Sequence, residues 1–527
     1  MQGAKTESLR QKDRDKTLWF VLYFGSLELL LFKKQLFCCK KFIGGIFMQD
    51  KILSFVAKAN AYLSDYILII LLVGVGLFYS FKTRFVQVRC FGEGMKKVFG
   101  GLKLRGGKNK SGLSSFQALA TAIAAQVGTG NIVGASGAIL IGGPGAIFWM
   151  WIIAFLGMAT IYAEAVLAQE TRIKDENGEV HGGPVYYIKK AFPNGFGTFL
   201  AIFFAVAAVL ALGFMGSMVQ SNSIAESSNN AFGVPVYVVG IIIAVLAAFI
   251  FLGGIQRIAS VTEKLVPIMA GLFLLGGLIV LGIRIKYVPE TIGMIFKYAF
   301  TPDALIGGGI GYALKTAISQ GAKRGLFSNE AGMGSTPHAH AMANVEKPHD
   351  QGVAAMIGVF IDTFIVLTMT ALVVISCLYA GDGILAEHIS NGTYVAATSG
   401  AEAIVAKTTA MQTAVSSAIP WGNFGEIFVS VCLLFFAFST IIGWNFFGKI
   451  NVQYLFKNNK VATIIYSVIA IGFIYLGSVL KNDLVWELTD FFNYLMVIPN
   501  AIALFALSKL VKKSARPNVQ EFKKNNK

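Results

Sequence analysis

Residues 117–170 read QALATAIAAQVGTGNIVGASGAILIGGPGAIFWMWIIAFLGMATIYAEAVLAQE. The stretch is apolar enough to lie in a bilayer, yet Gln126-Val127-Gly128-Thr129-Gly130-Asn131 interrupts it with glycine and polar side chains. In hydrocarbon an unsatisfied backbone N–H or C=O costs several kcal/mol, so irregular backbone persists only against protein or a water-filled cavity. A helix opened near mid-membrane exposes amides and carbonyls that can hold a solute and an ion, the arrangement of secondary transporters.

Working outward, the bulk composition agrees with a membrane setting. The 527 residues are 55% hydrophobic and 14% charged, with a mean hydropathy of +0.64. Soluble domains usually carry about 25% charged residues. The net charge of +17 is concentrated between apolar runs. Residues 82–110 hold Lys82, Arg84, Arg89, Lys96, Lys97, Lys103, Arg105, Lys108 and Lys110 against Glu93, and the tail beyond Leu507 is equally basic. That placement is the positive-inside pattern of loops at a membrane and argues against nucleic-acid binding.

A bilayer core of about 30 Å takes roughly 20 helical residues. Candidate spans are 63–81, 115–141, 145–169, 197–228, 234–253, 258–284, an interrupted 304–343, 352–379, 424–448, 461–480 and 483–508. These predict an all-α integral membrane protein with about eleven transmembrane helices. Loop charge puts the N-terminus outside and the C-terminus in the cytoplasm. Residues 1–47 read as a dispensable extension, 48–113 as a leading helix with a basic loop, and 511–527 as a basic tail. Two amphipathic segments complete the organisation: GGPVYYIKKAF (182–192) as an in-plane helix, and 399–418 as an external cap over the solute path.

Four constellations could carry chemistry. At Gly128–Asn131, glycine permits close backbone approach, and the half-helix starting at Asn131 aims its amides at the break, where they suit a carboxylate. Carbonyls freed near Ala124 to Val127 are hard-oxygen ligands for a small cation. Packing of small residues explains Gly134 and Gly137, but not Gln126, Thr129 and Asn131 together. The second knot, GAKRGLFSNEAGMGSTPHAH (321–340), falls in the sixth helix after the basic loop, as a five-plus-five repeat requires. Lys323 and Arg324 favour the alternative of a loop after a short span 304–320, with GGGIG (307–311) as the true break. Ser439 and Thr440 supply hydroxyl oxygens on the eighth helix, with Trp444 one turn beyond Thr440 on the same face, and Gln220, Asn222 and Ser223 cluster in the third. Glu164 and Asp362 are acids within spans, which need a partner or a water-lined cavity.

Enzymatic chemistry is not indicated. No nucleophile–base pair stands out, and GGGIG lacks the strand-then-helix setting of a nucleotide fingerprint. The cysteines Cys38, Cys39, Cys90, Cys377 and Cys432 show no disulfide or metal spacing, and the five histidines are too scattered for a metal site.

Taken together, TAIAAQVGTGNIVGASGAILIGGPGAIFWMW, GGPVYYI, MVQSNSIA (218–225) and GLFSNEAGMGSTPHAHA (325–341) resemble the alanine or glycine:cation symporter family of bacterial and archaeal amino-acid carriers. The resemblance covers about residues 48–510. It implies a leucine-transporter-like fold, with one leading helix and ten core helices in two inverted repeats, 114–300 and 301–510, whose first and sixth core helices are discontinuous. It implies sodium-coupled uptake of alanine or glycine by a monomer in the cytoplasmic membrane, with protons or glutamine in some members and no prosthetic group. A membrane sensor or channel of the same fold is the competing class. Matched to the family, the carbonyls of Ala124 and Val127 and the hydroxyls of Ser439 and Thr440 would bind Na+. Gln126, Gly128, Thr129, Gly130, Asn131, Gln220, Asn329 and Trp444 would meet the amino acid. Gln126 would also fill a second cation position, implying a single coupled ion.

Overall fold

The computed structural model describes residues 51–100, 113–174, 180–251, 254–300, 310–390 and 404–515. Met1–Lys58 and Ala59–Lys527 are separate units, and of the first only residues 51–58 are described, as helix. The sequence reading of residues 1–47 lies outside the described residues, as do Cys38 and Cys39.

Within the second unit the main elements follow in chain order. They are α1 (Ile69–Lys82), α2 (Ser115–Gln126), α3 (Gly130–Gly142), α4 (Ala146–Thr171), α5 (Gly195–Phe232) and α6 (Val236–Phe251). Then come α7 (Gly254–Ile283), α8 (Ile310–Asn329), α9 (Pro337–Met342), α10 (Pro348–Leu378), α11 (Phe424–Leu455), α12 (Lys460–Val479) and α13 (Asn482–Ala506). The β-structure described is a two-residue antiparallel hairpin, Ile173–Lys174 with Val180–His181. The fold is all-α, as the hydropathy requires.

Counting α2 with α3 and α8 with α9, the main helices named above after the basic loop number ten among the described residues, and members five apart pack on each other. The first meets the sixth (α3 on α8), the second the seventh (α4 on α10), the third the eighth (α5 on α11) and the fourth the ninth (α6 on α12). The discontinuities fall in the first and sixth, at matching positions of the two halves, which is how inverted-repeat transporters place their sites.

Eight helices are long and apolar enough to cross a bilayer, and the bent pair α2–α3 makes a ninth. The count of eleven is not reached by that measure among the described residues. Described α6 has 16 residues, and α8 carries three cations, Lys315, Lys323 and Arg324. The outward faces of α6, α7 and α12 expose Ile241, Val245, Phe249, Leu275, Ile279, Ile464 and Val468. An apolar belt of that kind is stable only against lipid. Inside, the core is closed by tightly buried aromatics such as Tyr79, Tyr162, Phe204, Phe436 and Trp444.

The two amphipathic segments fold as helices shorter than the sequence suggested. Pro184–Ala191 starts on a proline after Gly183, whose φ of 120° only glycine adopts easily, and leaves Lys189 and Lys190 exposed at its end. Of the expected cap, residues 399–403 lie outside the described residues. The remainder forms Ala410–Ala418, tied down where Gln412 Nε2 donates to the Ser227 and Glu426 carbonyls at 3.1 and 3.0 Å.

Candidate functional site: two helix breaks facing each other

The first break begins with a well-defined helix. Ser114 Oγ accepts from the Gln117 amide and Gln117 Oε1 accepts from the Ser114 amide, a reciprocal cap that fixes where α2 starts. Twelve residues later Val127 leaves helical geometry with ψ 89°, and the chain resumes at Gly130 as a π-wound turn, bent by 46° from α2. The opened amides are held by side chains. Gly128 N–H donates to Asn131 Oδ1 at 3.0 Å, and Thr129 N–H donates to Gln220 Oε1 from α5 at 3.1 Å. Asn131 Nδ2 donates to the backbone carbonyl and to Oδ1 of Asp362 on α10, at 3.1 and 2.7 Å.

Beside this break lies an oxygen cluster. Ser439 Oγ and Thr440 Oγ1 of α11 both reach the Ala124 carbonyl, at 3.2 and 3.0 Å, while also bonding back to Phe436 O at 2.8 and 3.2 Å. Hydroxyls in a helix commonly bond their own preceding turn, and here each is divided between that turn and a neighbouring helix. Val127 sits at the end of the same half-helix, one turn after Ala124. A carbonyl with two hydroxyls is a hard-oxygen donor set that fits a small alkali cation and not a soft metal.

The second break follows Asn329. Lys323 and Arg324 belong to regular α8 and not to a loop. Membrane-compatible cations need partners, and these have them: Lys323 Nζ lies 3.6 Å from Asp65 Oδ1, and Arg324 forms a two-pronged bridge to Asp490 of α13 at 2.9 and 3.3 Å. The loop reading of 321–343 is therefore corrected. Helix continues from Ile310, and of GGGIG only Ile310 and Gly311 are described, as helix. Beyond Asn329 the chain opens at Glu330 (φ 58°), Gly332 (φ 92°) and Gly334 (φ 81°) before α9. Glu330 is buried, accepts from Trp444 Nε1 at 2.5 Å and accepts from Ser335 Oγ. Gly332 N–H donates to Glu164 Oε2 at 3.1 Å, and Asn500 Nδ2 donates to Glu164 Oε1 at 2.6 Å and to the Gly332 carbonyl at 2.9 Å.

The two breaks are joined. Gln126 Nε2 donates to the Asn329 carbonyl at 2.7 Å. Ser328 Oγ donates to both oxygens of the same Asp362 that receives Asn131, at 3.1 and 2.9 Å. Thr363 Oγ1 adds a further bond to Asp362 Oδ2 at 2.8 Å. Asn329 turns its own side chain to Thr363 and to the Ala331 amide. Above Gly130, Phe327 meets Trp444 edge-on at 5.6 Å and Trp486 at 4.8 Å between ring centroids. Arg324 lies 4.7 Å from the Trp486 ring centre.

Gln126, Thr129, Asn131, Gln220, Asn329, Trp444, Ala124, Ser439 and Thr440 are thus gathered around Gly128 and Gly130, all of them buried. Asn222 parts from Gln220: its amide donates to the Gly477 and Leu480 carbonyls and serves packing. The sequence singled out Glu330 only as a polar member of the second knot, without a role, and did not select Ser328, Phe327, Trp486, Asp490 or Asn500. A polar signal existed for Asp490 and Asn500, which stand with Glu487 and Asn493 in a candidate span. Around the first break Gln126 Oε1, Thr129 Oγ1 and Gln220 Nε2 have no hydrogen-bond partner among the described residues, and neither has Thr336 Oγ1 at the end of the second. Buried polar atoms are rarely left so, and a cluster of them calls for a ligand.

Comparison with known proteins agrees with this architecture. The solved structure of MhsT in complex with L-phenylalanine superposes with a TM-score of 0.53 at 16% identity, covering 78% of this chain and 97% of that one, so the fold is shared. The sodium/alanine symporter AgcS of Methanococcus maripaludis is 38% identical over 460 residues, covering 87% of this chain and 95% of its own length. A Bacillus subtilis protein described as "Probable sodium/glutamine symporter GlnT" is 37% identical, with 88% and 90% covered. The family described as the sodium:alanine symporter family matches residues 49–527. With that match extending through both helix breaks, the chain belongs to the sodium:alanine symporter family, a family of membrane transporters and not of enzymes.

Proposed function

We propose that this protein is a secondary active symporter that imports a small neutral amino acid, alanine or glycine, together with Na+ by alternating access. The observation that carries the reading is the set of orphaned atoms Gln126 Oε1, Thr129 Oγ1 and Gln220 Nε2 at opened backbone, beside the Ala124–Ser439–Thr440 oxygen cluster. An amino-acid zwitterion supplies both an ammonium for the two acceptor oxygens and a carboxylate for the Gln220 amide. The carboxylate would also displace Asn131 Oδ1 and Gln220 Oε1 from the Gly128 and Thr129 amides they now accept from. Na+ would take the Ala124 carbonyl, the two hydroxyls and the Val127 carbonyl. In this reading Trp444 and Phe327 wall a small site, residues 114–300 and 301–510 form the two halves, and the basic loops put the C-terminus in the cytoplasm.

The test is radiolabelled alanine uptake into liposomes with and without an inward Na+ gradient. Concentrative uptake that needs the gradient supports the reading; uptake that merely equilibrates would leave a channel. Leucine in excess should compete poorly, because the aromatic wall lies directly over Gly130, where even an added methyl would lie 3.0 Å from Phe327 Cδ1. Strong leucine competition would remove the small-solute assignment. Glutamine belongs in the same panel, since a relative bears that substrate in its name.

Thr440→Ala removes a hydroxyl from the Ala124 carbonyl. A hydrogen-bonding or liganding group at a charge contributes about 1.5–3 kcal/mol, so the Na+ concentration at half-maximal uptake should rise about tenfold or more. Sodium titration of uptake, normalised to reconstituted protein, measures this. A curve superimposable on the wild type would dismiss the cation assignment.

A further inference from the structure

Cys90, Glu93 and His349 look unrelated in sequence, and the spacing of cysteines and histidines predicted no metal site. The fold brings them together: Cys90 Sγ, a Glu93 carboxylate oxygen and a His349 ring nitrogen all lie within 4.8 Å of one another. Cys90 is the turn residue between the short helices Val86–Arg89 and Phe91–Phe99 of the basic loop, Glu93 lies on the second of them, and His349 is in the first turn of α10. We propose that these three side chains form a binding site for a zinc-class divalent cation, which clamps the loop helix to the start of α10.

The donor set is the first argument. A thiolate, an imidazole and a carboxylate match the borderline-soft ligands of Zn2+ and leave a fourth position for water. Tetrahedral zinc bonds of about 2.0–2.3 Å place ligand atoms roughly 3.3–3.8 Å apart, so the present separations need to close by about an ångström. His349 Nε2 and Glu93 Oε2 already stand at 3.3 Å.

Orientation is the second. His349 Nδ1 is held at 2.7 Å by the hydroxyl of buried Tyr162 on α4, which turns Nε2 toward Glu93. A hydrogen bond on the far imidazole nitrogen is what fixes the tautomer of a metal-binding histidine. Cys90 is 5% exposed, whereas the Glu93 side chain is 44% exposed, so a cation has an entry from solvent on the glutamate side. Burial pushes the Cys90 thiol up, and a bound cation is what would let it ionise. The nearby cations are committed elsewhere: Arg89 donates to the Thr83 and Ala515 carbonyls, and Lys97 pairs with Asp350 at 2.7 Å.

The third argument is mechanical. Helix Phe91–Phe99 already lies hard against α10, since a methyl on Gly94 would come within 3.0 Å of the Val353 carbonyl. The Lys97–Asp350 bridge joins the same two elements. A cation on Cys90, Glu93 and His349 adds a second tie, and rests on the symporter reading only for its consequence, slower transport.

Cobalt titration of the purified full-length protein tests the site without any transport measurement. Co2+ should produce a thiolate-to-metal charge-transfer band, abolished in Cys90→Ser and displaced by Zn2+. Glu93→Gln and His349→Gln, which keep Cys90 in place, should each raise the half-saturating Co2+ concentration at least tenfold. Zn2+ should raise the melting temperature of the wild type and not of Cys90→Ser, and slow alanine uptake in the wild type alone. A wild type without the band, or a band that survives in Cys90→Ser, overturns the site. A band with unchanged melting and uptake overturns the clamp.

Discussion

Gly128→Ala should abolish alanine uptake while the protein still accumulates in the membrane. The added methyl would overlap Thr440 Oγ1 and lie 3.1 Å from both Thr440 Cβ and Gln220 Oε1. Neither neighbour can give way cheaply. Thr440 is held on the Ala124 carbonyl, and Gln220 on the Thr129 amide. Overpacking of a filled interior costs about 1–3 kcal/mol, and here the displaced groups are the proposed ligands themselves. Uptake per reconstituted molecule should fall at least a hundredfold, whereas elution as a single species in detergent should persist. The double variant Gly128→Ala/Thr440→Ala, which frees the space, should recover thermal stability without recovering sodium dependence, a coupling readable as a double-mutant cycle. Wild-type uptake by Gly128→Ala would show that the first break is not where solute and ion are held.

Asp362→Ala should be the most destabilising single change at the site. It strips the acceptor from Ser328 Oγ and Thr363 Oγ1 at once and leaves Asn131 Nδ2 only the backbone carbonyl of position 362. A buried donor left without a partner costs about 1–3 kcal/mol, so two cost on the order of 4 kcal/mol, close to the lower end of the whole stability of an ordinary domain. The expected result is loss of folded protein, seen as a melting temperature lowered well beyond that of Thr440→Ala, with no measurable uptake. A variant that melts with the wild type would show that the network contributes little.

How far the sequence discloses this arrangement depends on the distance between partners. The first break was legible because its cause is local, glycine and polar residues crowded at Gly128–Asn131 of an apolar run. The second was legible only as a region, since GGGIG (307–311) competed with 321–340 until the chain was seen to open from Glu330 to Gly334. The Ala124–Ser439–Thr440 cluster was reachable only through family resemblance, since 315 residues separate Ala124 from Ser439. Arg324 and Lys323 illustrate the limit. Two cations in a candidate span look like loop residues until Asp490 and Asp65 are seen beside them. Asp362 was conspicuous as a lone acid in an apolar helix, yet nothing near it in sequence names Asn131 or Ser328 as its partners. Trp486 and Phe327 gave no warning at all, because aromatic residues in an apolar helix are ordinary packing residues until they stack over a break.

The tie between the breaks governs how the molecule must move. Gln126 grips the Asn329 backbone, and Asn131 and Ser328 share one aspartate. Separating the first core helix from the sixth would tear all of these apart in a dry interior. Against α11, by contrast, the first core helix is held at Ala124 by two hydroxyls that each keep a second acceptor in their own helix. Trp444 of α11 also donates to Glu330 of the second break. In the proposed transport cycle the tethered pair would therefore move as one body against α11, with the hydroxyl bonds to Ala124 and this bond as the contacts to be exchanged. Under the proposed sodium coupling, a cation between Ala124 and the two hydroxyls would act as a removable rivet across that contact.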